Sequence, residues 1–472
     1  MRPEEFQEAV EQAATVLAAH LRDMQAGHGP VVSRKSPDQL RELMSLAGWI
    51  TRGGMTPQTL GSFLETYLQE GTRLHHPGYM AHQCGVPSTG AAIADLVHGV
   101  TNNAMSLHEM GAAAVAAELE VVQWMLSKIG WSEPESGGVL VHGGSLANLT
   151  ALHAARARAF PGAEEHGNPP SPVILAPPGA HVSVARAASI MGLGTHAVHP
   201  LPVDELGRVR PPIAAATMDT HRHAGSNILA VVVNSCAPAT GLYDPLREIA
   251  DHCRERDVWL HVDAAHGGSA LLDPNLREHL DGIALADSVT WDAHKMLRTS
   301  TLAAGLLMRS RQDLDGLPGL KADYLFYGTR PGPDLMAHTI EGSKAELGLK
   351  VFLSLAWHGE SGLARYVRDC HHNALFLWDL LADRDGFEVL TKPDFNIVCF
   401  RHRGSDADQV TIRDRLMDDG TFHLASSVIG GKRWLRATLI SPNTDTATLT
   451  QMIHAVEQAG ASSPPVRHDA RP

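Results

Sequence analysis

Two short apolar runs constrain this chain more than any other feature: Leu260-His261-Val262-Asp263-Ala264-Ala265-His266 and Ser288-Val289-Thr290-Trp291-Asp292-Ala293-His294-Lys295-Met296. Each reads as a buried strand, and each delivers a polar group where its apolar run stops. The first delivers a carboxylate, the second a lysine. Asp263 and Lys295 lie 32 residues apart, close to the length of one strand-helix-strand repeat. Neighbouring strand ends of a parallel sheet open on one crevice, so this spacing predicts that both groups face a common ligand. The plainer alternative is an aspartate capping the next helix and a lysine on the surface.

A lysine and a carboxylate so placed suit pyridoxal phosphate. The amine forms a Schiff base with the aldehyde, and the carboxylate keeps the pyridine nitrogen protonated, the state in which the ring is a strong electron sink. The stretch from Asp257 to Leu297 resembles the group II pyridoxal-phosphate amino acid decarboxylases, which include the glutamate, cysteine-sulfinate, aromatic amino acid and diaminobutyrate decarboxylases. His261-Val262-Asp263-Ala264-Ala265 and Trp291-Asp292-Ala293-His294-Lys295 carry the resemblance. By that likeness Lys295 is the Schiff-base lysine, Asp263 the partner of the pyridine nitrogen, Ala265 the floor under the ring, and His294 a contact on the phosphate side. The likeness extends over nearly the whole chain. It implies an α/β fold of the PLP-dependent transferase type (aspartate aminotransferase-like, fold type I), with a large, mostly parallel-sheet domain and a small C-terminal α+β domain.

Three further segments join this constellation. Val139-Leu140-Val141-His142-Gly143-Gly144-Ser145-Leu146-Ala147-Asn148 reads as a strand, a turn of small residues and a helix. Glycines let a backbone approach a phosphate, and a helix start favours an anion. The stretch resembles the family's phosphate turn, which assigns Gly144, Ser145 and Asn148 to the phosphate end. His181 follows Val173-Ile174-Leu175-Ala176 and a Pro-Pro-Gly turn. An imidazole there can stack on a pyridine face and exchange a proton near neutral pH, although a histidine before a helix also serves as a cap. His181 resembles the family histidine that lies over the cofactor. Gln83 falls where the glutamate and cysteine-sulfinate branches carry a glutamine, and its amide can donate to a substrate carboxylate without adding charge. A surface glutamine in a loop is the alternative.

The chain also departs from the family pattern. Around Leu107-His108-Glu109-Met110 the usual aromatic residue and proline are missing. Pro238 stands where many members have a threonine near the cofactor, and it has neither a hydroxyl nor an amide hydrogen. Thr240 is a possible substitute. Pro333 takes the place of a loop tyrosine that in the family returns a proton after carbon dioxide leaves, and Ser343-Lys344 replaces a double arginine. Tyr324, Tyr327 and His181 are the alternative proton donors. Gln83 and Val289-Thr290-Trp291 point to a small acidic amino acid as substrate. The altered pocket residues and the lost arginine instead remove partners for a second carboxylate.

Charge and composition narrow the remaining classes. The net charge of −13, with acids and bases interspersed over 472 residues, argues against nucleic acid or an anionic membrane as partner. No run of about 18 apolar residues occurs, and Met1-Arg2-Pro3-Glu4-Glu5-Phe6 has no apolar signal core, so a cytoplasmic location is expected. Five cysteines without a CxxC pair fit reduced thiols, and the 28 histidines show no ligand spacing, so no metal is expected. The chain divides on sequence into an N-terminal helical segment (1–75), a large cofactor-binding domain (76–344), a small C-terminal domain (345–460) and a disordered tail (461–472). Phe6, Val10, Ala13, Leu17, Leu21 and Met24 form an apolar stripe on the first helix. In the resembling family such helices pack across a dimer, and a homodimer with sites at the subunit interface is expected. The activity implied is that of a PLP-dependent carboxy-lyase acting on an L-amino acid through an external aldimine, with Lys295 and His181 catalytic. The competing readings are decarboxylation with oxidative deamination to an aldehyde, and a catalytically silent homologue that serves as a binding subunit.

Overall fold

The structure is a computed structural model that describes residues 1–317 and 331–461. The chain forms two compact units, a larger one of residues 83–371 with 393–395, and a smaller one of residues 1–82, 372–392 and 396 onward. Strand β1 (Tyr79–Met80) belongs to the smaller unit. The larger unit then supplies β2 (Gly137–Val141), β3 (Pro172–Ala176), β4 (Val198–Pro200), β5 (Asn227–Asn234), β6 (Leu260–Asp263), β7 (Ser288–Asp292) and β8 (Ala304–Met308). They form one sheet in the order β2-β8-β7-β6-β5-β3-β4. From β7 through β6, β5 and β3 to β4 every pair is parallel, and β8 runs antiparallel to both its neighbours. This is the mostly parallel α/β sheet that the strand-end motifs predict.

Continuous apolar runs make these strands because both faces of the sheet are covered. Residues 229–234 of β5, all of β6 and all of β7 are buried. The helix Gly144–Ala159 turns Ala147, Ala151, Leu152, Ala154 and Ala155 into a core shared with Val139, Val141, Ile174, Val232 and Leu306. Its alanines keep its axis close to the strands, which holds the helix start at the sheet edge. Trp291 of β7 is wholly buried and donates its indole hydrogen to Ser269 Oγ at 2.9 Å. The neighbouring residue has to be glycine, since a Cβ on Gly268 would lie 2.9 Å from the indole ring.

In the smaller unit β9 (Phe387–Val389), β10 (Ile397–His402), β11 (His423–Ile429) and β12 (Lys432–Thr438) join β1 in the order β1-β11-β12-β10-β9. The helices Asp406–Asp419 and Thr446–Ala461 complete its core with Ile412, Leu416, Leu449, Met452 and Val456. The helices of residues 1–75 cluster with this unit rather than standing as a separate segment, and on the first of them Leu17 and Leu21 remain exposed. The helix Leu347–Ala382, broken at Gly359 with φ 65°, contributes to both units. Tyr324, Tyr327 and the tail beyond 461 lie outside the described residues. No helix among the described residues is long and apolar enough to cross a membrane.

Lys344, one of the pair that replaces the family's arginines, is held in a buried ion pair. Its ammonium is buried against the Glu118 carboxylate and the Leu140 carbonyl, and Glu118 also accepts from the Leu140 amide at 2.9 Å. Both side chains are 1% exposed, so removing either strands a buried charge. Glu118→Leu or Lys344→Met alone should cost about 3–5 kcal/mol in urea unfolding, and the double replacement clearly less than either single change.

Candidate active site

The C-terminal edge of the larger sheet opens on a cavity of about 320 Å³. The residues that the resemblance assigns to the cofactor and the substrate all line it: Gln83, Gly144, Ser145, Asn148, His181, Asp263, Ala265, His294 and Lys295. The convergence begins in strand register. Val262 pairs with Val289 and Asp263 with Thr290, so the carboxylate that ends β6 stands beside the turn that follows β7. That turn, the short helix Ala293–Met296, carries Lys295. Gly85 packs directly beneath it, with its amide donating to the His294 carbonyl at 3.1 Å. A Cβ there would fall 2.2 Å from the Lys295 carbonyl oxygen, so only glycine lets the two segments approach.

Lys295 Nζ lies 3.1 Å from Asp292 Oδ2. Burial alone would depress the ammonium, but the Asp292 and Asp263 carboxylates outweigh it and hold the lysine above its ordinary range. Asp292 is 2% exposed, and its Oδ1 has no hydrogen-bond partner among the described residues. The carboxylate also borders the glycine turn, since a Cβ on Gly144 would meet Asp292 Oδ1 at 2.8 Å. The sequence alone assigns Asp292 no role. The available signal was an acid three residues before the lysine at a strand end.

Gly143, at φ 95°, turns the chain from β2 into the helix that starts at Gly144. Internal bonding of that helix begins with the amides of Leu146 and Ala147, both donating to the Gly143 carbonyl. The amides of Gly144 and Ser145 precede it, and together with the helix dipole they form an anion site. Asp263 accepts from the Ala265 amide at 3.2 Å and from Asn148 Nδ2 at 2.8 Å. Asn148, expected at the phosphate end, spends its other amide hydrogen on Ser183 Oγ at 2.9 Å. Its position on the helix turns it toward the carboxylate of β6. His181 Nδ1 lies 2.8 Å from the same Ser183 hydroxyl.

Other lining residues were not foreseen. His142, just before the glycines, hydrogen-bonds the Glu341 carboxylate, a pairing across 199 residues that no local pattern announces. Pro238 does line the cavity, whereas the Thr240 hydroxyl is buried and accepts from the Leu242 amide. The donors present fit pyridoxal phosphate: amides at a helix start for a phosphate, a carboxylate held by two donors for a ring nitrogen, and an amine in the same cavity.

A parallel-centred sheet with this set at its C-terminal edge defines a fold type I pyridoxal-phosphate enzyme. A model of the pyridoxal-dependent decarboxylase conserved domain matches residues 58–403. The chain is 27% identical over 448 residues to the human acidic amino acid decarboxylase GADL1, covering 90% of this chain and 85% of that protein. It is 28% identical over 372 residues to human cysteine sulfinic acid decarboxylase, covering 78% and 75%. With the L-2,4-diaminobutyrate decarboxylase of Rhizobium meliloti it shares 29% over 406 residues, covering 84% and 80%. The crystal structure of mouse CSAD superposes with a TM-score of 0.89 at 24% identity, over 97% of this chain and 99% of that one. The chain therefore belongs to the pyridoxal-dependent decarboxylase family, whose members are PLP-dependent amino acid decarboxylases.

The balance around the lysine is directly testable in cofactor-free protein. Asp292→Asn removes the nearest carboxylate and leaves burial to dominate, so Lys295 should lose its proton at lower pH than in the parent. Acylation of Lys295 across a pH series, read by peptide mass analysis, should show its half-reaction point moving down.

Proposed function

We propose that this chain decarboxylates a small L-amino acid, with Lys295 as the amine that carries the cofactor and His181 as a proton-handling group. The observation that carries the reading is the convergence of Lys295, Asp263, His181 and the Gly144-Ser145 helix start on one cavity. Pyridoxal phosphate, when bound, supplies a protonated pyridine ring that accepts the electron pair released as carbon dioxide departs. Asp263 holds the proton of the ring nitrogen, and its carboxylate is oriented by Asn148 and the Ala265 amide. Gly144 and Ser145 hold the phosphate by their amides, with the Ser145 hydroxyl as a third donor. Ala265, with only a methyl group, leaves room for the ring. His294 is fixed through its Nδ1, 2.8 Å from the Ala303 carbonyl, and turns its Nε2 toward Asp292 at 3.6 Å. Gln83 donates to a carboxylate of the substrate.

The cavity volume and the names of the relatives favour small polar side chains, and the acidic amino acids of GADL1 and cysteine sulfinic acid decarboxylase come first. Among the described lining residues there is no arginine, and Lys295 is committed to the cofactor. Recognition of a second carboxylate therefore falls to Gln83 and neutral or protonated imidazoles. The helix Thr89–Thr101 exposes Ile93, Leu96, Val97 and Val100 along one stripe, which supports a homodimer. A cytoplasmic location accords with the five cysteines, none of which is in a disulfide.

A second reading is oxidative: oxygen consumed, and aldehyde, ammonia and peroxide released with the carbon dioxide. Pro333, in the place of the family's proton-returning tyrosine, favours it. Purified protein loaded with pyridoxal phosphate would be offered glutamate, aspartate, cysteine sulfinate, 2,4-diaminobutyrate and aromatic amino acids, with carbon dioxide, amine, aldehyde and peroxide read together. Amine formed without oxygen uptake is the expected result, and aldehyde with peroxide would replace it by the oxidative reading. Lys295→Ala should lose both turnover and the lysine-dependent visible absorbance. Retention of that absorbance would overturn the site assignment.

A further inference from the structure

Behind the cavity wall a polar chain leads from residues that do not line the cavity to Asp263 and His181, which do. It starts at Trp259, whose indole nitrogen is 2.9 Å from Ser288 Oγ, and passes from Ser288 to His261 Nδ1 at 2.8 Å. His261 Nε2 lies 3.0 Å from Asn148 Oδ1. Asn148 Nδ2 then reaches Asp263 Oδ2 at 2.8 Å and Ser183 Oγ at 2.9 Å, and Ser183 Oγ reaches His181 Nδ1 at 2.8 Å. His261 and Ser288 are fully buried, and Asn148 is 1% exposed.

With a single proton on the His261 ring, the donor and acceptor rules leave one arrangement of hydrogens along this chain. An indole nitrogen only donates, so Ser288 Oγ accepts from Trp259 and has its own hydrogen left to give. At the other end, a carbonyl oxygen turned toward the Asp263 carboxylate would be repelled, so the Asn148 amide must present its NH₂ there and its oxygen to His261. His261 Nε2 must then carry the hydrogen. Burial pushes this imidazole down to about 4, the Asp263 carboxylate being the charged group that opposes the shift, so near pH 7 the ring holds a single proton. That leaves Nδ1 bare to accept from Ser288. Beyond Asn148 the same logic continues. Ser183 accepts from the amide and gives its hydroxyl hydrogen to His181 Nδ1, which also faces the Ser183 backbone amide at 3.2 Å. With two donors on Nδ1, the His181 proton sits on Nε2.

We infer that His261 is a positioning residue that, through Asn148, directs the side-chain hydrogen bond arriving at Asp263 and fixes the tautomer of His181. Its effect on turnover rests on the reading of Asp263 and His181 given under the proposed function. The hydrogen-bond direction does not. An imidazole with one proton offers a donor on one side and an acceptor on the other, and the amide of glutamine offers the same pair. His261→Gln therefore preserves the chain, while His261→Leu cuts it and leaves the Asn148 oxygen buried without a donor.

The test combines two readouts. Nitrogen NMR of histidine-labelled, cofactor-free protein should show Nε2–H on both His261 and His181, and an Nδ1–H form on either ring would overturn the inference. In the loaded enzyme His261→Leu should lower kcat by roughly tenfold, the usual size of an outer hydrogen-bond loss, with KM little changed. It should also move the pH midpoint of the lysine-dependent absorbance. His261→Gln should restore both. A leucine variant with the parent's kcat and midpoint, or a glutamine variant no better than the leucine one, would refute the proposal. If His261→Leu does not fold, the tautomers of the parent and the parameters of His261→Gln decide. Absence of the absorbance in the parent would sink the functional reading while the tautomers still judge the chain.

Discussion

The parallel pairing of β6 with β7 is the constraint on which the site depends. Side chains alternate faces along a strand, so a slip of one residue would turn Asp263 away from the cavity and expose a valine in its place. The register is held because Leu260, Val262, Val289 and Trp291 are buried on one face and His261 is bonded to Ser288 on the other, and because Trp291 is keyed to Ser269 and Gly268 beside it. The carboxylate and the lysine are thus placed by packing rather than by attraction. Coulomb energy between Lys295 and its two acids then acts on a geometry already set.

That geometry carries an electrostatic cost which the surrounding groups offset. Two carboxylates, Asp263 and Asp292, face one ammonium in a largely buried cleft, and a phosphorylated ring adds further negative charge. Each acid is met by a separate device. Asp263 takes an amide hydrogen from Ala265 and another from Asn148, while Asp292 has Lys295 and, farther off, His294. Among the described residues the cavity has no second lysine and no arginine, so a phosphate there would be met by backbone amides, a helix dipole and the Ser145 hydroxyl. Glycine at 143, 144 and 85 follows from the same economy of space. Backbone serves where side chains would collide with Leu302, Asp292 or the lysine turn.

Much of this was legible in the sequence because it is local. A buried parallel strand is a continuous apolar run, and the residue that ends it lies at the sheet edge, so Asp263, Lys295 and the Gly144 turn could be placed from short stretches. What stayed hidden depends on pairs distant in the chain. The Lys344–Glu118 ion pair spans 226 residues and the His142–Glu341 contact 199, and neither side of either pair is unusual alone. Nearness to the glycines in sequence points Asn148 toward the phosphate. One helical turn instead carries it round to β6. Strand β11 escaped because Ser426 and Ser427 interrupt its apolar pattern, and β1 because two residues between Pro77-Gly78 and His82 look like loop until β11 pairs with them.

Pro238 departs from the family pattern in the wall of the cavity, while the polar chain from Trp259 to Asp263 behind it has a hydrogen-bond partner at every side chain. The physics of the two regions explains the contrast. A change in the wall alters which side chain fits or where a proton returns, and loop backbone can adjust around it. A change that cuts the buried chain from Trp259 to Asp263 leaves at least one donor or acceptor unpaired, which costs about 1–3 kcal/mol per group. Electron withdrawal into the ring, the step common to decarboxylation of any amino acid, is therefore tied to the most tightly determined part of the protein. The choice of substrate and the fate of the carbon left after carbon dioxide departs are tied to the part that varies most cheaply.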